Sequence, residues 1–378
     1  MRSWAGFRQG SRTTAGRRRV LFFGTYDASI YPRVAVLREG FAGLGDEVLE
    51  CNEPLRIPTG LRVRMLREPW RAPVLLWAIL RCWARLAVRA RHVGHVDLIV
   101  VGYMGQFDVH LARALWPRVP IVLDHLVPAG EAAVDRRCKS RLVVGALRLL
   151  DWAATRTADV VCVDTDEHLA FAGRRGGLVV PVGAPEAWFS APGVHADGPL
   201  RVIFFGSFTP LQGAPVIAEA AAILCGGPLR LTIVGRGQDW DVARERAGDC
   251  PNIEWIDWVE PELLPALVAE HDVVLGIFGT GAKALSVVPT KVFQGAAAGA
   301  AIVTSDTPPQ RAALGDAAAY VEPGDAGALA RTLLALAADR ARVEKMREAA
   351  FDVADARFRP VNVVAPLTPR ARVAVPAA

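Results

Sequence analysis

At 378 residues the chain is too long for one ordinary core and sets the expectation of two domains of roughly 150–190 residues. Apolar residues make up 52%, yet no uncharged run reaches the roughly 18 residues of a membrane span, so a soluble or peripheral protein is expected. The net charge of +5 hides an asymmetry, because residues 1–95 hold 17 Arg, no Lys and 7 acids whereas residues 96–378 hold 27 basic and 32 acidic side chains.

In chain order, residues 1–18 read as a disordered basic tail. Six Arg lie between Met1 and Arg19 without the apolar stretch of a signal peptide, which makes the cytoplasm the default location. The first strand is Arg19–Phe23, running into Gly24 and Thr25, and Val34, Leu37 and Phe41 mark the helix after it. Further strands are expected at Asp46–Cys51, Leu98–Val101, Pro120–Leu123 and Asp159–Val163, the last clear one of this half, with helices between. Alternating strands and helices imply a parallel sheet covered on both faces, here over residues 19–180.

Within that half, residues 73–89 place Arg81, Arg85 and Arg89 on one helical face flanked by Trp77, Leu80 and Ala84, with Arg62, Arg64, Arg67 and Arg71 upstream. Two readings stand side by side for residues 56–91: an interfacial segment in peripheral contact with an anionic membrane, at the inner face of the cell membrane, or an ordinary surface helix. No nucleic-acid-binding module accompanies the basic residues, and no nucleic-acid partner is expected. The six cysteines show no C-x-x-C pair and no His at metal spacing, so reduced thiols and no metal site are expected.

Residues 181–199 are turn-rich and read as a linker. The second domain, 200–355, restarts with Leu200–Ser207, whose Arg-Val-x-Phe-Phe-Gly-Ser wording echoes Arg19–Thr25. Strands follow at Leu229–Val234, Ile253–Asp257, Val273–Phe278 and Ala301–Thr304, then helices at about 326–338 and 341–354. The tail, 356–378, is expected to be poorly ordered or draped over the surface. The fold class is therefore α/β, with two Rossmann-like domains.

The stretch with the most chemistry is Val288-Pro289-Thr290-Lys291, which opens a helix of small residues ended by Gly299 and followed by a buried strand. A Pro near the helix start, backbone N–H groups at the N-terminus and a Lys in the first turn form a seat for a phosphate. Lys283, in the loop after the preceding strand, is a second cation of the same kind. Gly206-Ser207 and Gln212-Gly213 bracket a βα loop, Gly235-Arg236-Gly237 turns out of another strand, and Trp258 follows a third. In the first half, Asp124 and His125 end the fourth strand, at the edge where open α/β sheets bind ligands. Gly24, Thr25 and Arg33 lie in one loop at that edge, and Gly102, Tyr103, Gly105 and Asp108 in another.

The wording around Lys291 resembles the Pro-Ser/Asn-Lys-x-x-Glu donor motif of the retaining glycosyltransferases of family 4, here as an actinobacterial-type variant without the usual E-x7-E acids. The resemblance covers about residues 19–355 and implies the GT-B architecture, two Rossmann-like domains facing a cleft. It also implies transfer from a nucleotide sugar, UDP- or GDP-linked, to a hydroxyl acceptor such as a glycan or lipid-linked intermediate of cell-envelope polysaccharide synthesis, without a cofactor or metal. By the same resemblance Lys291 and its helix hold the diphosphate, Gln294 stands where a Glu accepts from the ribose, and Ser286 where the first Glu touches the sugar. Ser207 and Gln212 replace an Arg and a Lys, while Gly235 and Arg236 border the donor and Trp258 the nucleobase. His125 hydrogen-bonds the sugar or stabilises positive charge through its carbonyl. Residues 180–189 are similar to the family's hinge motif, with Val182 and Pro185 in place of its Asn and Asp. The missing acids leave open a degenerate nucleotide-sugar-binding partner without turnover. A Rossmann oxidoreductase ranks last, because no G-x-G-x-x-G follows Phe23 or Phe205.

Overall fold

A computed structural model describes residues 17–368 except 28–31, 57–69, 71, 104, 127, 137, 139, 173–176 and 190–197. The basic residues expected at 1–16, Arg62, Arg64, Arg67 and Arg71, residues 190–197 of the linker and the last ten residues of the tail thus lie outside the described residues. The chain forms two compact units, one holding residues up to Val180 and again from Val364, the other Pro181–Val363.

In the first unit, strands β1 (Arg19–Gly24), β2 (Glu47–Asn52), β3 (Leu98–Val101), β4 (Ile121–Asp124), β5 (Val160–Val163) and β6 (Leu178–Val179) lie in the order β2-β1-β3-β4-β5-β6. All neighbours are parallel. Helix α1 (Pro32–Gly43) joins β1 to β2, and α2 (Ala72–Ala90), α3 (Asp108–Leu115), α4 (Ala129–Asp135) and α5 (Arg141–Thr157) fall between later strands. Parallel crossovers are right-handed, so connections that step along the sheet in opposite directions cover opposite faces. The step from β1 to β2 puts α1 on one face, and the reverse steps through β3, β4 and β5 put α2, α3 and α5 on the other, where α3 touches both longer helices. Covered on both sides, the strands are continuous apolar runs: Val20 to Phe23, Leu98 to Val101 and Ile121 to Leu123 are all buried.

In the second unit, β7 (Leu200–Phe205), β8 (Leu229–Val234), β9 (Ile253–Ile256), β10 (Val273–Leu275), β11 (Ala301–Ser305) and β12 (Ala318–Val321) form a parallel sheet in the order β12-β11-β10-β7-β8-β9. Its helices are α6 (Ala214–Ile223), α7 (Trp240–Ala247), α8 (Leu264–Ala269), α9 (Ala282–Leu285), α10 (Thr290–Ala297), α11 (Pro308–Leu314), α12 (Ala326–Ala338), α13 (Arg340–Arg357) and α14 (Pro360–Val364). Helix α10 ends because Gly299 takes φ 74°, which lets Ala300 donate back to the Gly295 carbonyl and turns the chain straight into β11.

Four expectations are corrected. Strand β6 follows β5, so Val163 does not end the first sheet; β6 is a two-residue edge too short to show a period. Within residues 181–199, Trp188 and Phe189 are buried in a helical turn, with the Trp188 ring stacked on Phe205 at 5.9 Å. The chain after Phe358 forms α14 and a further turn with Val363, Val364 and Leu367 buried, and Phe358 itself packs edge-on against Phe293 at 4.8 Å. Finally, Cys225 and Cys250 are joined as a disulfide across turns whose Cα atoms are 5.5 Å apart, within the span a disulfide bridges; Cys51, Cys82, Cys138 and Cys162 form no disulfide among the described residues. Among the described residues no helix is long and apolar enough to cross a membrane, and no group of three His, Cys, Asp or Glu is placed to hold a metal ion.

Candidate functional site

Because all six strands of the second unit are parallel, the loops after β7, β8, β10 and β11 emerge at one edge of the sheet. Three glycines let them interlock. Gly235 has φ +115° and a Cβ there would sit 2.1 Å from the Gly206 carbonyl oxygen; Gly213 has φ +68° and its Cβ would meet the Phe278 carbonyl carbon at 2.5 Å. The Phe278 N–H then donates to the Gln212 carbonyl at 3.1 Å. Gly235→Ala combines a steric overlap with a strained φ, and it is expected to cost about 3 kcal/mol or more. Urea unfolding checks this, and a loss under about 1 kcal/mol would mean that the two loops are free to part.

Lys291 sits in the first turn of α10, a helix buried from Lys291 to Ala297. Its Nζ donates to Gln212 Oε1 at 2.5 Å and lies 3.6 Å from the centre of the Phe204 ring. A side chain at Gly206 would come within 3.3 Å of that nitrogen, so Gly206 leaves the approach to the ammonium open. Burial pushes the Lys291 amine well below the ordinary lysine range. Val288, Pro289 and Gln294 are buried beside it, Thr290 is half-buried and Ser207 is exposed.

The structure does not gather every candidate here. Arg236 is committed to Asp257 at 3.1 Å and to the Trp240 face, and Trp258 stands exposed. Lys283 lies in the single turn of α9, where its carbonyl accepts from the Ser286 hydroxyl at 3.2 Å. Two buried polar groups just after β11 carry no motif and went unread in the sequence: Thr307 Oγ1 and Gln310 Nε2 have no hydrogen-bond partner among the described residues. The only signal for them is polar side chains directly after an apolar strand.

In the first unit, Asp124 ends β4 fully buried and accepts from Arg33 Nε at 2.7 Å, while Arg33 Nη1 reaches the Val180 carbonyl at 3.0 Å. His125 follows, its backbone N–H on the Cys162 carbonyl and both ring nitrogens buried without a hydrogen bond among the described residues. Burial, with a smaller push from His168, lowers its imidazole to about 4, so the ring is neutral at physiological pH. Asp124 Oδ2 is likewise unpartnered. Thr25 and Asp108 meet each other: the Thr25 N–H and hydroxyl donate to Asp108 Oδ2 at 2.7 and 2.8 Å, and the Trp83 indole donates to Oδ1 at 2.9 Å. Gly24 leaves room for that carboxylate, with a Cβ only 3.0 Å away. These residues bolt the β1 loop to α3, which is a structural use of them.

The family described as "Glycosyl transferases group 1" matches residues 199–339, roughly three-quarters of the second unit. No curated protein matches the chain by sequence. Among solved structures, the chain is similar to sucrose-phosphate synthase from Thermosynechococcus elongatus, with 15% identity and a TM-score of 0.68 over 95% of this chain and 99% of that one. It is also similar to the E. coli trehalose-6-phosphate structure bound with UDP-2-fluoro glucose, with 14% identity and a TM-score of 0.67 over 95% and 100% of the two chains. Anabaena HepE in complex with UDP-glucose follows at 15% identity and a TM-score of 0.62 over 94% and 100%. At such identities the likeness is one of fold, and that fold is the two-unit, Rossmann-like GT-B architecture.

Proposed function

We propose that this transferase, whose second unit is a group 1 glycosyl transferase domain, moves a glycosyl group from a UDP- or GDP-sugar to a hydroxyl acceptor with retention, as the resemblance to family 4 implies. The acceptor is a glycan or a lipid-linked intermediate of cell-envelope polysaccharide synthesis. Residues 200–355 hold the donor and residues 19–180 receive the acceptor. The observation that carries the reading is Lys291, a buried amine at a helix start with a glycine opposite it. As the sugar–oxygen bond breaks, negative charge grows on the diphosphate, and an ammonium with a helix N-terminus stabilises that charge most where water is excluded. His125 supplies a neutral imidazole whose nitrogens are unused inside the unit, suited to hydrogen-bonding a sugar hydroxyl. That two solved relatives in fold, Anabaena HepE and the E. coli protein, carry UDP or a UDP-sugar is consistent with the donor class.

Ser286 and Gln294, standing where the resembled family has its two Glu, favour a second reading: a nucleotide-sugar-binding protein without turnover. Calorimetric titration with UDP, GDP and ADP tests the seat. One nucleotide is expected to bind, and Lys291→Ala to weaken it at least about tenfold, the loss of a charge-assisted contact of about 1.4 kcal/mol or more. If none binds, or Lys291→Ala binds as tightly as the parent, the donor seat lies elsewhere. Binding without sugar transfer or donor hydrolysis would select the second reading.

A further inference from the structure

Helices α2 and α5 lie on the same face of the first sheet, on either side of the shorter α3, which touches both. Each turns one side inward: Ile79, Cys82, Leu86 and Ala90 on α2, and Asp151, Ala154 and Thr155 on α5 are buried. A soluble helix is expected to show water a polar opposite side. These two do not. On α2 the outward positions are Val74, Trp77, Arg81 and Val88, with Trp77 64% exposed; on α5 they are Leu142, Leu149, Trp152 and Arg156, with Leu142 86%, Leu149 63% and Trp152 53% exposed. Both helices also repeat one device four residues apart, an Arg guanidinium over an exposed indole: Arg81 on Trp77 at 5.5 Å and Arg156 on Trp152 at 4.2 Å.

We propose that α2 and α5 together form one docking face for an anionic lipid bilayer. Charge selects the occupant. The two helices carry six arginines and a single carboxylate, Asp151, which is buried and spent on the Ala129 and Gly130 N–H groups. Glu53 holds Arg85 and Arg89, and Glu131 holds Arg148; with these two carboxylates and the buried Asp151 against six guanidinium groups, the outward surface keeps a net positive charge. By contrast α13, on the second unit, interleaves Glu344, Glu348, Asp352 and Asp355 with its arginines, as an ordinary solvated helix does. A second copy meeting this face through a two-fold axis would set arginines against arginines, which disfavours self-association. Apolar side chains, indoles and arginines without exposed acids are what the boundary between headgroups and acyl chains rewards. The sequence left membrane contact at residues 56–91 as one of two readings; the proposal adds α5, whose outward apolar stripe lies some sixty residues further along the chain.

Vesicle sedimentation of the full chain tests the proposal independently of the transferase reading. Vesicles with about 30 mol% phosphatidylglycerol are expected to bind the protein, and pure phosphatidylcholine vesicles to leave it in the supernatant. Trp77→Ser and Trp152→Ser are each expected to weaken partition, and the double variant to weaken it by about tenfold or more. Both rings are more than half exposed, so the melting temperature should hold; Arg81→Gln with Arg156→Gln provides a second pair that leaves the apolar residues in place. Equal binding to both vesicle types, absence of binding, or an unchanged partition of Trp152→Ser would overturn the two-helix face. So would concentration-dependent dimerisation abolished by the same variants, which would give the face to a second copy.

Discussion

Arg33→Met is expected to destabilise the first unit by about 3–5 kcal/mol at neutral pH, with much of that loss recovered in acid. Both side chains of the Arg33–Asp124 pair are almost wholly shielded from water, so removing the guanidinium leaves a carboxylate with no counter-charge and a second oxygen that already lacks a partner. Burial pushes the Asp124 carboxyl up even in the intact protein, against the pull of Arg33; without Arg33 it rises further. A carboxyl whose folded value lies above its unfolded one adds stability below the unfolded value and loses it as pH rises through the folded one. The gap between variant and parent should therefore shrink as pH falls, because Asp124 in the variant takes up its proton first. Urea unfolding of both proteins from pH 8 to about 4.5 reads this out, and a gap independent of pH would show that the cost is packing alone. Arg33→Met with Asp124→Leu, which removes both charges, should cost less than the sum of the single changes.

Most of the strands that could be read from the sequence are central ones buried on both faces, so a continuous apolar run such as Phe22-Phe23 or Val100-Val101 marks them without a period; the partly exposed edge strands β2 and β9 were read from their shorter apolar stretches and their place between helices. Strand β12 escaped because Ala318-Ala319-Tyr320-Val321 is half-buried and its alanines blend into an Ala-rich background. The Cys225–Cys250 link escaped for another reason, since spacing alone says nothing about which turns stand side by side. The candidate site divides along the same line. A helix start with a Pro and a Lys is local and visible, whereas the partner of Lys291 is Gln212, 79 residues away, and the partner of Arg33 is Asp124, 91 residues away. Thr25 and Asp108 were each legible as edge residues at a ligand-binding rim, but only the fold shows that they bind each other.

Nucleotide binding is expected to draw a proton onto Lys291. In the free protein its Nζ meets, among the described residues, an uncharged acceptor, Gln212 Oε1, and the face of Phe204, and burial holds the amine well below its usual range. A diphosphate seated against it supplies the missing negative charge and raises that value again. Between the free and bound values, binding must be accompanied by proton uptake, and affinity must fall as pH rises, by at most about tenfold per pH unit for one proton. Measured above about pH 7.5, clear of a phosphate's own last ionisation near about 6, the calorimetric enthalpy should vary with the ionisation enthalpy of the buffer. The slope should report proton uptake in the parent and vanish in Lys291→Met. No buffer dependence in the parent would mean that the amine is already charged when the nucleotide arrives, held by a group other than Gln212. The geometry gives a reason for Gln at position 212: a lysine there would set a second ammonium within bonding distance of Lys291, whereas the amide holds a single amine in place until the charge of a bound diphosphate lets it take up a proton from solvent.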